Sequence, residues 1–296
     1  MTDYVFTQIA NGLTAGMIYS LIALGFSLVY GVMKRFNFAH SEVFMGSMYV
    51  AWWIANYARG ADGMVHGVKS VVALVAAMLA GGGLALAVER IAYRPFRSAP
   101  KFSALLSAIA ISAIMQNVAR QIFGPETQAF PVFSCSQFPR LTVALILAAC
   151  YLPTMILIER SGAGIRIRAV ADDEGAARLC GINPISTTRL AFMWGGVLAG
   201  AAGFCWGVLY GTVNPQVGFV PGLKCFMIAV IGTIGSLPGT FAAAMCFGLV
   251  EALTSAVIPS EYSGFSQAFI FLLLAVGLIW RPTGIFRFGR SQRLEH

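Results

Sequence analysis

The sequence predicts an all-α, polytopic transmembrane helical bundle of about eight to nine membrane segments. Three observations lead there. Of the 296 residues, 58% are hydrophobic and only 11% charged, whereas soluble domains carry about 25% charged residues. Mean hydropathy is +0.76. Apolar runs near the roughly 20 residues needed to cross a bilayer recur along the whole chain, leaving no room for a large soluble domain. A water-soluble enzyme of this length and a disordered chain are both excluded by this composition. The net charge of +8 reads as membrane topology rather than nucleic-acid binding, because the basic residues sit in the gaps between apolar runs.

The runs fall at 5–33, 40–58, 68–89, 102–123, 141–158, 188–211, 222–236, 239–258 and 264–280. The first carries a Gly12/Gly16 pair one helical turn apart. The second opens on the polar group Asn37, His40, Ser41 and Glu42. Gln116 and Asn117 interrupt the fourth, and Glu251 lies well inside the eighth. The runs at 222–236 and 264–280 are short enough to be tilted, broken or re-entrant, which protein shielding would permit. In 188–211, Gly196, Gly200, Gly203, Gly207 and Gly211 recur at helical spacing. Such a face lets helices approach closely in lipid, and it could equally line a pathway.

Positive charge orients the chain. One topology gathers Lys34 and Arg35, the basic residues from Arg90 to Lys101, those from Arg160 to Arg189 and those from Arg281 to Arg293 on the cytoplasmic side. That places fifteen basic residues inside and leaves five outside, at Arg59, Lys69, Arg120, Arg140 and Lys224. The N-terminus is then outside, the C-terminus cytoplasmic and the number of crossings odd. The longest hydrophilic stretch, about 159–187, becomes a cytoplasmic element. Within it Ala169–Cys180 has helical character, Gly181 is a natural stop and Pro184 blocks continuation. It is an ordinary solvated loop helix or a docking element for a cytoplasmic partner.

Chemistry-bearing motifs are missing. None of the four lysines is preceded by glycine, so a GxxxxGK[ST] phosphate loop cannot form. HExxH, GxSxG and clustered Cys/His ligands are absent, and the six cysteines read as small hydrophobes. The chain is expected not to be an enzyme and to hold no cofactor or metal. Ionisable groups inside spans are costly and often functional. Asn37, His40, Ser41, Glu42 and Glu251 are therefore candidate pathway or gate residues, together with Gly200, Gly203 and Gly207, with helix–helix hydrogen bonding as the alternative for the polar ones. The N-terminal run is too long for a cleavable signal peptide and lacks a basic start. Residues 294–296 read as the start of an expression tag.

The run NGLTAGMIYSLIALGFSLVYGVMKRFNFAHSEVFMGSMYVAW at 11–52, with its NFAHSE core at Asn37–Glu42, resembles the opening of branched-chain amino-acid ABC transporter permeases, most closely the LivH-type subunit. RAVADDEGAARLCGI at 168–182 is similar to that family's cytoplasmic coupling segment. NPQVGFVPGLKCFMIAVIGTIGSLPG at 214–239 and RPTGIF at 281–286 extend the likeness.

The resemblance implies a single transmembrane permease domain over 1–293, with a coupling segment at about 160–187, in a bacterial inner membrane. It implies an importer of branched-chain or related small amino acids. A second, usually non-identical permease subunit and two cytoplasmic ATPase subunits holding ATP and Mg are implied as partners. An extracytoplasmic solute-binding protein and no nucleic acid complete the set. Coupling residues are then Ala169, Glu174, Gly175, Ala176, Ala177 and Gly181. One departure stands out: the generic motif is E-A-A-x-x-x-G, and here Gly175 replaces the glutamate, with Glu174 one position earlier. A same-family permease for urea, amides or small organic acids is the nearest alternative. An autonomous channel or secondary transporter would need no ATPase, and a membrane-embedded enzyme would have only Glu251 and His40 as acid/base groups.

Overall fold

The computed structural model describes residues 2–57, 66–97, 99–131, 139–233 and 235–258, with a few positions between 265 and 276. Among the described residues the chain is helical nearly throughout. In chain order the helices are α1 (Thr2–Met33), α2 (His40–Tyr57), α3 (His66–Val88), α4 (Lys101–Phe123), α5 (Pro139–Arg160), α6 (Gly162–Asp172), α7 (Glu174–Leu179), α8 (Pro184–Tyr210), α9 (Phe219–Ile231) and α10 (Leu237–Val257). A π-helical turn, Glu89–Tyr93, extends α3. Two residue pairs form a small antiparallel bridge, β1 (Gln128–Ala129) with β2 (Thr212–Val213). The run at 264–280 falls mostly outside the described residues, and RPTGIF and 294–296 wholly so.

Among the described residues six helices are long and apolar enough to cross a membrane: α1, α3 with its π-turn, α4, α5, α8 and α10. The chain is thus a multi-pass membrane protein. The helix α2, with His40, Ser41 and Glu42 in its first turn, is not among the six. At 13 residues, α9 rises only about 20 Å against a hydrocarbon core of about 30 Å. It enters from an irregular stretch at 214–218 and ends at a break before α10.

The helix α1 is central: 83% of its apolar window is buried, against 17% for α4 on the periphery. The helix α8 packs against α1, α2, α3 and α5. Without water there is no hydrophobic drive between helices, so close backbone approach does the holding. Glycine supplies it. A Cβ on Gly196 would overlap the Gly81 carbonyl of α3, and one on Gly200 the Ala77 carbonyl. A Cβ on Gly203 would lie 2.8 Å from the Phe44 carbonyl oxygen of α2, and one on Gly207 2.5 Å from the Phe130 ring. Gly211 does something else: at φ 68° it closes the C-terminus of α8. Gly12 and Gly16 meet α10, near Gly248 and Ala244. The glycines of α8 thus turn toward several neighbours.

Loop contacts sort the helix ends into two groups. At one end Arg35 donates to the carbonyls of Phe96 (2.7 Å) and Arg97 (3.0 Å). There Arg97 also donates to Thr188 Oγ1 at 2.8 Å. At the other end Trp52 Nε1 donates to the Ala129 carbonyl at 3.0 Å, and Arg140 to Asn11 Oδ1 at 2.8 Å. The basic loops at 34–35, 90–101 and 160–189 therefore share one end.

Three local expectations change. The single helix expected over Ala169–Cys180 is two helices, because Asp173 adopts an extended φ of −149° and its carboxylate accepts from the Gly175 and Ala176 amides. The span expected from 188 starts earlier: Pro184, which does separate it from α7, is its first residue, pre-set in φ, with Asn183 as cap. Lys224 is not a loop charge, being 3% exposed inside α9.

Gly200→Leu should lower stability by about 1–3 kcal/mol through overpacking against α3. Gly83→Ala, whose Cβ would meet nothing within 4 Å, should leave it unchanged. Thermal unfolding of the purified chain in detergent reads the difference.

Candidate functional site

Among the described residues, two buried polar groups lie within the bundle, and the segment expected to dock lies at its basic end. The first group surrounds the start of α2. The Tyr93 hydroxyl lies 2.8 Å from the Phe36 carbonyl and 3.2 Å from Asn37 Oδ1. Asn37 is 2% exposed and its amide nitrogen has no partner among the described residues. His40, equally buried, packs edge-on to Phe26 with ring centroids 4.7 Å apart. Only a glycine at position 25 leaves it room, since a Cβ there would come 2.6 Å from Nε2. Ser41 donates to the Phe38 carbonyl at 2.9 Å. Glycines 218 and 222, at the start of α9, close over Ser41.

Glu42 is fully buried. Its Oε1 accepts from Gln116 Nε2 at 2.8 Å and from Ser112 Oγ at 3.1 Å, both on α4. Its Oε2 has no partner among the described residues. The polar interruption of the fourth run thereby has two outcomes. Gln116 turns inward to Glu42, while Asn117 bonds the Ala113 carbonyl of its own helix, on an exposed face.

The second group holds Glu251. Lys224 Nζ on α9 lies 2.5 Å from Glu251 Oε1 on α10, with side chains 4% and 20% exposed. The same ammonium sits 5.7 Å from the centre of the Tyr19 ring on α1. Lys224 itself escaped sequence reasoning because it was counted with the outer charges. Its place inside the apolar run 222–236 was the available signal. The pair ties the short helix α9 to both α1 and α10.

The segment expected to dock is α6–α7. Ala177 faces inward, 3% exposed, against Val32, Ile167, Val170 and Ala191. Glu174, Gly175, Ala176 and Gly181 face outward, and Ala169 is half-buried. Glu174 is engaged locally, 2.6 Å from Arg178 one turn on, so its carboxylate does not stand in at position 175. Gly175 lies directly under the Asp173 cap: a Cβ would meet Asp173 Oδ1 at 3.2 Å. Gly181 ends the segment at φ 77°. Leu179 is 91% exposed at the tip of α7, an apolar side chain that sequence reasoning passed over. The segment is wired to the bundle: burial lowers the pKa of the Arg97 guanidinium beside it, with Glu174 and Glu89 opposing that shift.

A family model described as "Branched-chain amino acid transport system / permease component" matches residues 8–291. The chain is 36% identical over 308 residues to the high-affinity branched-chain amino acid transport system permease protein LivH of Escherichia coli K12, covering 98% of this chain and 97% of that protein. It is 33% identical over 301 residues to the corresponding permease protein BraD of Pseudomonas aeruginosa, covering 96% of each. A more distant match is the permease protein LivM of Salmonella typhimurium, 27% identical over 150 residues, 51% of this chain and 34% of LivM.

Lys224→Met should cost about 3–5 kcal/mol, because it strands a carboxylate among apolar groups. Lys224→Met with Glu251→Leu should recover most of that loss. A double-mutant cycle on thermal unfolding measures both.

Proposed function

Because the chain belongs to the branched-chain amino acid transport permease family, we propose that it is one transmembrane subunit of an ATP-driven importer for branched-chain or related small amino acids. Its partners in this reading are a second permease subunit of LivM type, two cytoplasmic ATPase subunits that hold ATP and Mg, and an extracytoplasmic binding protein that delivers the solute. This chain supplies pathway and docking surface, and hydrolysis happens elsewhere. The setting is a bacterial inner membrane, with the N-terminus outside and the C-terminus in the cytoplasm. Residues 1–293 act as one permease domain.

The observation that carries the reading is the build of α6–α7. A two-residue-deep anchor, Ala177 and Ile167, holds it on the bundle. Gly175 and Ala176 keep its outer surface low while Leu179 projects from it. A flat surface with one apolar knob suits insertion in a groove of an ATPase. It runs through Asn183 and Pro184 directly into α8, so a push on the segment reaches a helix that packs against α1, α2, α3 and α5.

For the pathway, we place Asn37, His40, Ser41, Glu42 and Glu251 next to the moving parts and assign Gly200, Gly203 and Gly207 to packing. The irregular entry to α9 lies over Ser41, and Lys224 holds the same helix to Glu251. A shift of α9 would uncover both polar groups together.

Ala177 is unsuitable for testing docking, since a large residue there would disturb the chain's own packing. Leu179→Asp and Ala176→Arg are on the outer face. Each should weaken co-purification of the ATPase subunit about tenfold or more while leaving the unfolding temperature of the chain unchanged. Unaltered ATPase retention in both would count against the docking assignment. Orientation has its own check: a cysteine at Gly162 should label from the cytoplasmic side and one at Glu126 from outside, and the reverse pattern would invert the topology.

A further inference from the structure

A cavity of about 360 Å³ lies between α3, α6 and α8 at the basic end of the bundle. Its lining divides by chemistry. Leu86 on α3 and Leu190 and Met193 on α8 form an apolar side, and all three belong to helices long enough to cross the membrane. Arg166 on α6, Arg189 and Ser186 line it beyond the apolar side. We propose that this cavity binds the phosphate group of an anionic phospholipid, with the acyl chains along the apolar side.

The donors are available. The Arg166 guanidinium is on an exposed residue and makes one long bond, 3.3 Å to the Gly162 carbonyl. Arg189 Nε stands 3.7 Å from Glu89 Oε2, beyond hydrogen-bond distance, and its side chain is 42% exposed. Each guanidinium offers five N–H donors in a fork that fits phosphate oxygens. The end of α8 is not what holds the anion, because Asn183 already accepts from the Ile185 and Ser186 amides. The Thr187 hydroxyl is likewise committed, to the Asn183 carbonyl at 3.0 Å.

Charge chooses the headgroup. Glu89 offsets one of the two arginines, which leaves a single positive charge facing the cavity. A phosphodiester with one net negative charge balances it, whereas a zwitterionic headgroup brings an ammonium toward the spare guanidinium. The position suits a lipid rather than a soluble anion, since three of the seven lining residues are apolar and stand on helices long enough to cross the membrane. The proposal rests on the reading that this end faces the cytoplasmic leaflet, where anionic lipids gather. A bound lipid would link α6 of the docking segment to α3 and α8.

The test uses the full chain in nanodiscs of phosphatidylglycerol and phosphatidylcholine, with retained lipid read by native mass spectrometry. The wild type should retain phosphatidylglycerol over phosphatidylcholine. Arg166→Gln, on an exposed residue, should lower that preference about fivefold. Arg189→Lys keeps a charge facing Glu89 but removes the fork, and it should also lower retention. Arg120→Gln, in the last turn of α4 far along the sequence, should leave it unchanged. Equal retention of the two lipids, or an equal loss in all three variants, would overturn the proposal. Displacement of phosphatidylglycerol by inorganic phosphate would assign the site to free phosphate and overturn the lipid. Cysteine labelling at Gly162 reports orientation separately, so a failed topology and a failed lipid site give different results.

Discussion

Backbone-to-backbone contact between α8 and its neighbours is the constraint on which the rest of the structure depends. In a membrane, apolar side chains gain nothing by leaving lipid for protein, so helices are held by close fit and by polar bonds. Gly195 lies against Gly25 of α1, Gly196 against Gly81 of α3, Gly200 against Ala77 and Gly203 against Phe44 of α2. One helix with small residues on several sides thus organises three others. Because α7 leads into α8 through only a few residues, the same contacts tie α6–α7 to the centre of the bundle.

Polar groups do a second job, joining elements that glycine contacts leave loose. Glu42 reaches across to Gln116 and Ser112 on α4, a helix otherwise mostly exposed. Lys224 and Glu251 join the short helix α9 to α10. Buried charges are costly, and a pair of them adds little net stability over an apolar replacement. Their presence on the short helix α9 is understandable if α9 must be held without being packed rigidly. Glu42 Oε2, Glu251 Oε2 and His40 Nε2 lack partners among the described residues, so these groups keep bonding capacity that a rearranged state can use.

Much of the fold was legible because hydropathy is a strong signal in lipid: the described apolar runs are helices with ends close to those expected. The glycine spacing of 188–211 was also visible, but not its directions, since which neighbour each glycine meets depends on tertiary packing. The break at Asp173 was missed because Ala169–Cys180 is helical by composition on both sides, and only the bonds from the Asp173 carboxylate to two amides end one helix and start the next. Ala177 and Ala176 are adjacent alanines, and sequence alone could not say that one faces Val32 and the other solvent. Lys224 was hidden by counting charges before placing them. The motif Asn37–Glu42 was recognisable as a pattern, whereas its enclosure by α4 and α9 required the structure.

The central claim, as proposed, is that this chain is a passive half-pathway, made to move through α6–α7, which leads directly into α8. Uptake of labelled leucine into proteoliposomes tests it most directly. The vesicles would contain this chain with its permease partner and ATPase subunits, with binding protein added outside and ATP inside. The account predicts uptake that needs ATP, binding protein and both permease subunits, and none with this chain alone. Leucine flux through the chain by itself, independent of ATP and of the binding protein, would contradict it.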